Sequence, residues 1–210
     1  MNPIFDFFLE AYHNTPTFQI VLEAIVFFFG IASVWYAKQE NILVYPTGIV
    51  ATVITVYLLY VNEYFGDMMM NFYYSIMSIY GWWNWSRTKN NKTTVPISRT
   101  NTTEKQIGVG LFIITMIVTY LVYKSFDYAI EIPNYIDIVT SGIFFTAMWY
   151  MATKKLENWT LWIVGDLITI PLYAYRGLGM LSLQYLIFTV LAIYGYREWK
   201  KSLNNSQLTA

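Results

Sequence analysis

The chain has 210 residues, of which 56% are hydrophobic and 20% aromatic, whereas only 12% are charged. An ordinary globular domain carries about 25% charged residues, so this composition is typical of an integral membrane protein. The formal net charge is zero and the chain contains no cysteine. These features exclude a protein that binds nucleic acid through a basic field, a disulfide scaffold and a site built on cysteine thiolates.

Seven apolar runs follow one another along the chain, each close to the roughly 17–25 residues that span a bilayer. They cover residues 18–37, 42–61, 68–85, 107–123, 136–152, 159–175 and 180–196. A helix is predicted for each run, because a segment in lipid must satisfy its own backbone hydrogen bonds. The sequence therefore predicts an all-α integral membrane protein with seven transmembrane helices.

The basic residues indicate how these helices are oriented. If the N-terminus lies outside, eleven of the thirteen Lys and Arg residues lie inside, and only Lys124 and Arg176 lie outside. Cytoplasmic loops carry such an excess of positive charge. On this basis residues 1–17 form an extracytoplasmic segment, 86–106 a flexible cytoplasmic linker and 200–210 a cytoplasmic tail.

An internal repeat appears at a spacing of 114 residues. The motif "VWYA" at 34–37 matches "MWYM" at 148–151, and "SIYGWWNW" at 78–85 matches "AIYGYREW" at 192–199. The two repeats each hold three helices, and one extra helix joins them, so both enter the membrane in the same direction. This predicts a 3+1+3 parallel repeat made of residues 18–85, 107–123 and 136–199.

Between these anchors the spacing is predicted to change to 117 residues, as if short loops had gained and lost three residues. The pairs that support this change are Asn41 with Asn158, Gly48 with Gly165 and Thr52 with Thr169.

The sixth run, "NWTLWIVGDLITIPLYAY", carries a carboxylate near its centre. Trp159, Trp162, Asp166, Thr169 and Tyr173 are spaced by three, four, three and four residues, so they share one helix face. An aspartate at this depth costs about 2.5–3.5 kcal/mol and usually serves a ligand, a proton or a partner. The stripe predicts a site that stacks a flat cationic ring on tryptophan and offsets its charge with Asp166. The alternatives are interfacial tryptophans and a structural aspartate.

Three polar or aromatic residues on neighbouring helices are predicted to complete this substrate site. Gln184 and Tyr185 lie in the seventh run, and Asn71 lies in the third run at the position that repeats Tyr185. Their side chains could recognise a hydroxyl or an amide of the ligand. Hydrogen bonding between helices without any ligand is the alternative for Asn71 and Gln184.

The repeat, the end of the third helix in "YGWWNWSR" and the W-x-x-W pair in "NWTLWIVGD" resemble the PnuC family of bacterial vitamin transporters. The resemblance extends from residue 18 to residue 199. It implies a SWEET-like fold in the bacterial inner membrane and facilitated diffusion of nicotinamide riboside, which a cytoplasmic kinase then traps for NAD biosynthesis. Ile163 stands where nicotinamide riboside carriers of the family have asparagine, and thiamine is the alternative substrate.

Catalysis and metal binding are not expected. The only histidine, His13, has no second ligand nearby, and no activated nucleophile can be assembled without a histidine or a membrane lysine. An intramembrane enzyme would need a second carboxylate at the depth of Asp166. The expected partners are a cationic vitamin and the lipid bilayer, without nucleic acid or a cofactor, and self-association into a homo-oligomer is left open.

Overall fold

The computed structural model describes residues 15–61, 65–89, 92–93, 95–125 and 131–208. These residues form seven α-helices and one short antiparallel hairpin of two strands, β1 (Thr88–Lys89) and β2 (Lys92–Thr93). The helices are α1 (Thr17–Lys38), α2 (Val44–Val61), α3 (Phe65–Ser86), α4 (Thr102–Ser125), α5 (Ile132–Ala152), α6 (Glu157–Tyr175) and α7 (Gly179–Leu208). The predicted all-α fold is confirmed. His13 and most of the predicted N-terminal segment lie outside the described residues.

Four of the described helices are long and apolar enough to cross a membrane, namely α1, α2, α4 and residues Gly179–Asn205 of α7. The other three bury polar side chains inside the bundle, such as Ser75 and Asn84 of α3, Thr140 and Thr146 of α5, and Asp166 of α6. A helix shielded from lipid by its neighbours can carry such polar groups.

The helix contacts follow the same pattern in both halves of the chain. In the first half α1 packs on α2 and α2 on α3, and in the second half α5 packs on α6 and α6 on α7. Across the halves the first helix of each contacts the third helix of the other, because α1 meets α7 and α3 meets α5. Helix α4 packs mainly on α5.

The turns that follow α1 and α5 keep the 114-residue spacing. Tyr36 O accepts a hydrogen bond from Asn41 N at 3.0 Å, and Tyr150 O accepts the equivalent bond from Lys155 N at 2.8 Å. Because α2 and α6 then continue without interruption, the predicted change to a spacing of 117 residues is wrong. The corrected counterparts are Tyr45 with Trp159, Gly48 with Trp162 and Thr52 with Asp166.

Equivalent glycines allow equivalent rings to pack at the Lys- and Arg-rich end of the bundle. A Cβ atom at Gly81 would collide with the Tyr45 ring, and one at Gly195 would collide with the Trp159 ring. Tyr45 and Trp159 are each only 1% exposed. A small residue is therefore required at both repeat positions for α2 to approach α3 and α6 to approach α7.

The second part of the linker is held against the turn between α5 and α6. Ile97 is buried, Ser98 N donates to Lys154 O at 3.1 Å, and Leu156 N donates to Ser98 O at 2.9 Å. Lys155 Nζ also donates to Ser98 Oγ at 2.9 Å. The prediction of a flexible linker is wrong for this part, because its backbone is paired.

Helix α7 continues well beyond the apolar run from which it was predicted. The run ends at residue 196, whereas the helix ends at Leu208. The predicted tail from residue 200 is therefore helical up to residue 208. Arg197, Lys200 and Lys201 lie on this continuous helix, and all three are exposed.

Candidate functional site

Six aromatic side chains form a connected cluster inside the bundle, which we call the aromatic cage. Its members come from four helices and are Tyr74, Phe144, Trp162, Tyr173, Tyr185 and Phe188. The rings of Phe144 and Trp162 lie nearly parallel, with centroids 5.4 Å apart and an interplanar angle of 27°. Tyr185 connects Phe144 to Tyr173, with ring centroids 6.0 and 5.3 Å away. The cage thus brings six aromatic rings together, and aromatic rings are groups on which a flat ligand can stack.

Asp166 lies on the helix face that carries the two α6 members of the cage. Trp162 is one turn before it and Tyr173 is two turns after it, so the three share a face. The preceding residue, Gly165, leaves room for the Phe144 ring to rest against the helix backbone. Asp166 is 2% exposed, and its Oδ1 has no hydrogen-bond partner among the described residues. The site thus combines aromatic surfaces with a buried carboxylate.

The side chains of Trp159 and Trp162 lie in different surroundings. Trp159 packs edge-on against Trp199, with ring centroids 5.5 Å apart, and rests against Gly195. Trp162 instead contacts Phe144 and Tyr74. Trp159 therefore lies beside the cage, toward the Lys- and Arg-rich end of the bundle, although its indole Nε1 has no partner among the described residues.

The polar residues predicted for the site have partners within the protein. Thr169 is buried and donates its hydroxyl to Gly165 O at 2.8 Å, so its hydrogen is used within α6. Gln184 is buried at the contact between α7 and α1, where its amide nitrogen approaches Gly30. Asn71 is half-buried, and its backbone carbonyl oxygen accepts a hydrogen bond from Ser75 Oγ at 3.0 Å.

Sequence reasoning missed three members of the cage, Tyr74, Phe144 and Phe188. Each lies on another helix than the predicted stripe, and nothing in its local sequence distinguishes it from an ordinary apolar residue. The repeat could have indicated two of these residues, because Tyr74 and Phe188 are separated by 114 residues and are both aromatic. Gly165 was another, since a helical glycine often marks the close approach of a large neighbour.

The two repeats contribute different side chains at equivalent positions. The second repeat has Phe144 and Trp162 where the first has Gly30 and Gly48. The second also has Asp166 where the first has Thr52, whose Oγ1 lies 2.8 Å from Ser75 Oγ. The ring surfaces and the carboxylate therefore come mostly from the second repeat.

The opposite end of the bundle carries an ion pair that involves another acidic residue. Arg176 Nη2 lies 2.7 Å from Asp137 Oδ2, which also accepts a hydrogen bond from Tyr123 at 3.0 Å. Burial would lower the pKa of Arg176, but the hydrogen bond to Asp137 and its negative charge outweigh this and raise the pKa above its ordinary value. Asp137 is thus satisfied within the protein, unlike Asp166 Oδ1.

A bundle of apolar helices around a buried carboxylate and a ring cluster defines a small-molecule membrane transporter. Comparison with known proteins agrees with this class. The sequence pattern of the nicotinamide mononucleotide transporter family matches residues 20–201. The chain belongs to this family and is a multi-pass membrane protein.

Named relatives include transporters of more than one vitamin. The nicotinamide riboside transporter PnuC of Escherichia coli is 23% identical over 204 residues, covering 86% of this chain and 85% of the relative. The protein of the same name from Neisseria mucosa is 24% identical over 182 residues, covering 82% and 69%. The riboflavin/roseoflavin transporter RibM of Streptomyces davaonensis is 24% identical over 128 residues, covering 59% and 58%.

A solved structure shares the fold. The crystal structure of the vitamin B3 transporter PnuC superposes with a TM-score of 0.71 at 23% identity, covering 88% of this chain and 82% of that one.

Proposed function

We propose that this protein carries nicotinamide riboside across the bacterial cytoplasmic membrane by facilitated diffusion. The names of the PnuC relatives support this substrate. Asp166 is the observation that carries the proposal, because its Oδ1 lacks a partner among the described residues while it shares a face with Trp162 and Tyr173. A pyridinium ring stacked in the cage would supply the missing positive charge.

The chemistry of the site favours a positively charged vitamin over the nucleotide and the riboflavin that the names of the family and of its members suggest. A nucleotide would bring a phosphate, but every Lys and Arg lies at or beyond the end of an apolar run. Riboflavin has the flat ring but no positive charge to offset Asp166. Thiamine has both a flat ring and a positive charge. It is the second candidate, because Ile163 stands where nicotinamide riboside carriers have asparagine.

Transport would proceed by rocking of two three-helix units, α1 to α3 and α5 to α7, with α4 as the connecting helix. The equivalent contacts in the two halves support this 3+1+3 arrangement. Substrate would bind in the cage near the middle of the membrane and be released on either side. Phosphorylation by a cytoplasmic kinase would then trap it inside, and we assign the transporter itself no catalytic step.

We also propose that the N-terminus lies outside and the C-terminus inside. The excess of basic residues at one end of the bundle supports this orientation. The Lys- and Arg-rich end of the bundle, with Trp85 of α3 and Trp199 of α7, then faces the cytoplasm.

Uptake into sealed lipid vesicles tests the transport mode. We expect labelled nicotinamide riboside to reach the same concentration inside and outside, with or without an imposed proton or sodium gradient. The physical reason is that the sequence offers no series of titratable residues that could carry protons from Asp166 to either side of the membrane. Vesicles without protein are the control. Accumulation above the outside concentration would mean that transport is coupled to an ion.

Thiol labelling of intact cells tests the orientation. The native chain has no cysteine, so single cysteines can be placed at Asn91 and Glu63, both of which lie outside the described residues. We expect an impermeant maleimide to label position 63 and to leave position 91 unlabelled until the cells are opened. The reverse pattern would overturn the proposed orientation.

A further inference from the structure

Two equivalent tryptophans tie the halves of the bundle together at the Lys- and Arg-rich end. Trp199 of α7 donates its indole N–H to Ala37 O at the end of α1, at 3.0 Å. Trp85 of α3 donates to Met151 O at the end of α5, at 3.3 Å. Donors and acceptors are each separated by 114 residues, so one repeat-related hydrogen bond runs in each direction between the halves.

The two tryptophan rings also meet each other. Their centroids are 5.9 Å apart, and both side chains are almost fully buried. Asn84 of α3 adds a further bond across the halves, because its amide donates to Ala152 O at 3.0 Å. This end of the bundle is closed by a packed and hydrogen-bonded contact.

An ion pair joins the same two halves through the turns after α1 and α5. Lys154 Nζ lies 3.4 Å from Glu40 Oε2 and 4.5 Å from the centre of the Trp85 ring. The Lys154 side chain is only 5% exposed, whereas that of Glu40 is 33% exposed. Glu40 and Lys154 are themselves separated by 114 residues. If the two repeats were identical, the same residue would face itself here and any charges would repel. In this sequence the two equivalent residues carry opposite charges.

The backbone conformation at both positions is one that glycine would adopt more easily than Glu or Lys. Glu40 and Lys154 have φ angles of 55° and 53°, in the left-handed region that glycine adopts most readily. A turn that only reversed the chain would be served better by glycine. These two positions carry instead a charged pair that joins the two halves.

We infer that Trp85, Trp199, Glu40 and Lys154 form a latch that holds the cytoplasmic side closed and must open in each transport cycle. The inference rests on the proposed function for the rocking motion, the side of release and the identity of the cargo. Every bond of the latch joins one three-helix unit to the other, so rocking of the units cannot proceed while the latch is intact. Its groups can exchange their partners for water when it opens, which makes the contact reversible.

Spin-label distances across the latch test this inference without any substrate. Gln39 and Thr153 flank the ion pair at equivalent positions and can be changed to cysteine in this cysteine-free chain. In lipid nanodiscs we expect a short and a long distance between the labels. Lys154→Gln and Trp199→Phe should each raise the long-distance fraction about fivefold, the low end of typical coupling between sites. Trp199→Phe keeps a ring and loses the N–H donor.

Arg99→Gln is the matched control. Arg99 is an exposed cation near the same turn, with a 59% exposed side chain and a loose contact of 4.0 Å to Glu157. Its ion-pair partner, Glu157, is not one of the four latch residues. Distances in Lys154→Gln and Trp199→Phe that equal those of Arg99→Gln and of the unmodified latch would overturn the inference.

A covalent bridge across the latch gives a second test. Glu40→Cys combined with Lys154→Cys can be joined by a short bifunctional maleimide. Nicotinamide riboside uptake into vesicles should stop after bridging, while binding measured by calorimetry persists. Undiminished uptake by the bridged protein would overturn the latch. Absence of uptake by the protein without these two cysteines would instead contradict the proposed cargo, and the spin-label distances would still decide the latch.

Discussion

Asp166→Asn is expected to raise the dissociation constant for nicotinamide riboside by about 10- to 150-fold. The side chain keeps its size and loses only its charge, so the cage remains while the charge-assisted contact worth about 1.5–3 kcal/mol is lost. The variant should fold as well as the parent, because an unpaired charge within the bilayer is costly. Titration calorimetry with nicotinamide riboside and thiamine measures the effect and shows which vitamin is preferred.

Asp137→Asn is the matched control for this prediction. It makes the same chemical change, but Asp137 is paired with Arg176 at 2.7 Å. We expect unchanged affinity and a lower melting temperature, since the substitution leaves a partly buried guanidinium without its partner. If Asp166→Asn showed this same behaviour, Asp166 would be a structural residue and Trp162 would remain as the principal binding group.

Trp162→Ala is expected to weaken binding, whereas Trp159→Ala is expected to lower stability. Trp162 presents its ring to the cage, and loss of a stacking surface should cost about 1–3 kcal/mol of binding, or roughly a 5- to 150-fold weaker dissociation constant. Trp159 fills the space above Gly195 and contacts Trp199. Its removal should leave affinity unchanged and lower the free energy of unfolding by about 3–5 kcal/mol.

Binding and thermal unfolding measured on the same samples distinguish the two roles. Trp159→Phe serves as the milder variant, because a ring still fills part of the space should the alanine variant not fold. Equal losses of affinity for Trp162→Ala and the Trp159 variants would place Trp159 in the binding site. The orphaned Trp159 N–H would then be a ligand contact.

The site illustrates which part of a membrane protein can be predicted from local spacing. Asp166, Trp162 and Tyr173 were predicted to share a face because the helix period fixes directions along one segment. The same reasoning also placed Trp159 on that face, but it could not place the neighbours. Gly195 and Trp199 approach α6 at the level of Trp159, whereas Phe144 approaches one turn further along.

The repeat was recognised from its anchors, but its alignment through α2 and α6 was wrong by three residues. Matching identical letters, such as Gly48 with Gly165, favoured the shifted pairing. The backbone bonds of the turns after α1 and α5 show that the spacing does not change. Sequence identity is a poor guide where the two repeats have diverged, as they have between Thr52 and Asp166.

What the sequence determined by itself is the class of protein, the seven helices and the face that carries Asp166. The reason is that lipid permits only a few backbone structures, so run length and helical period decide them. Only the tertiary structure decided which rings surround Asp166, how the linker pairs with the turn after α5, and that Glu40 meets Lys154. Those contacts join residues far apart in the chain, and packing between helices rather than periodicity within one brings them together.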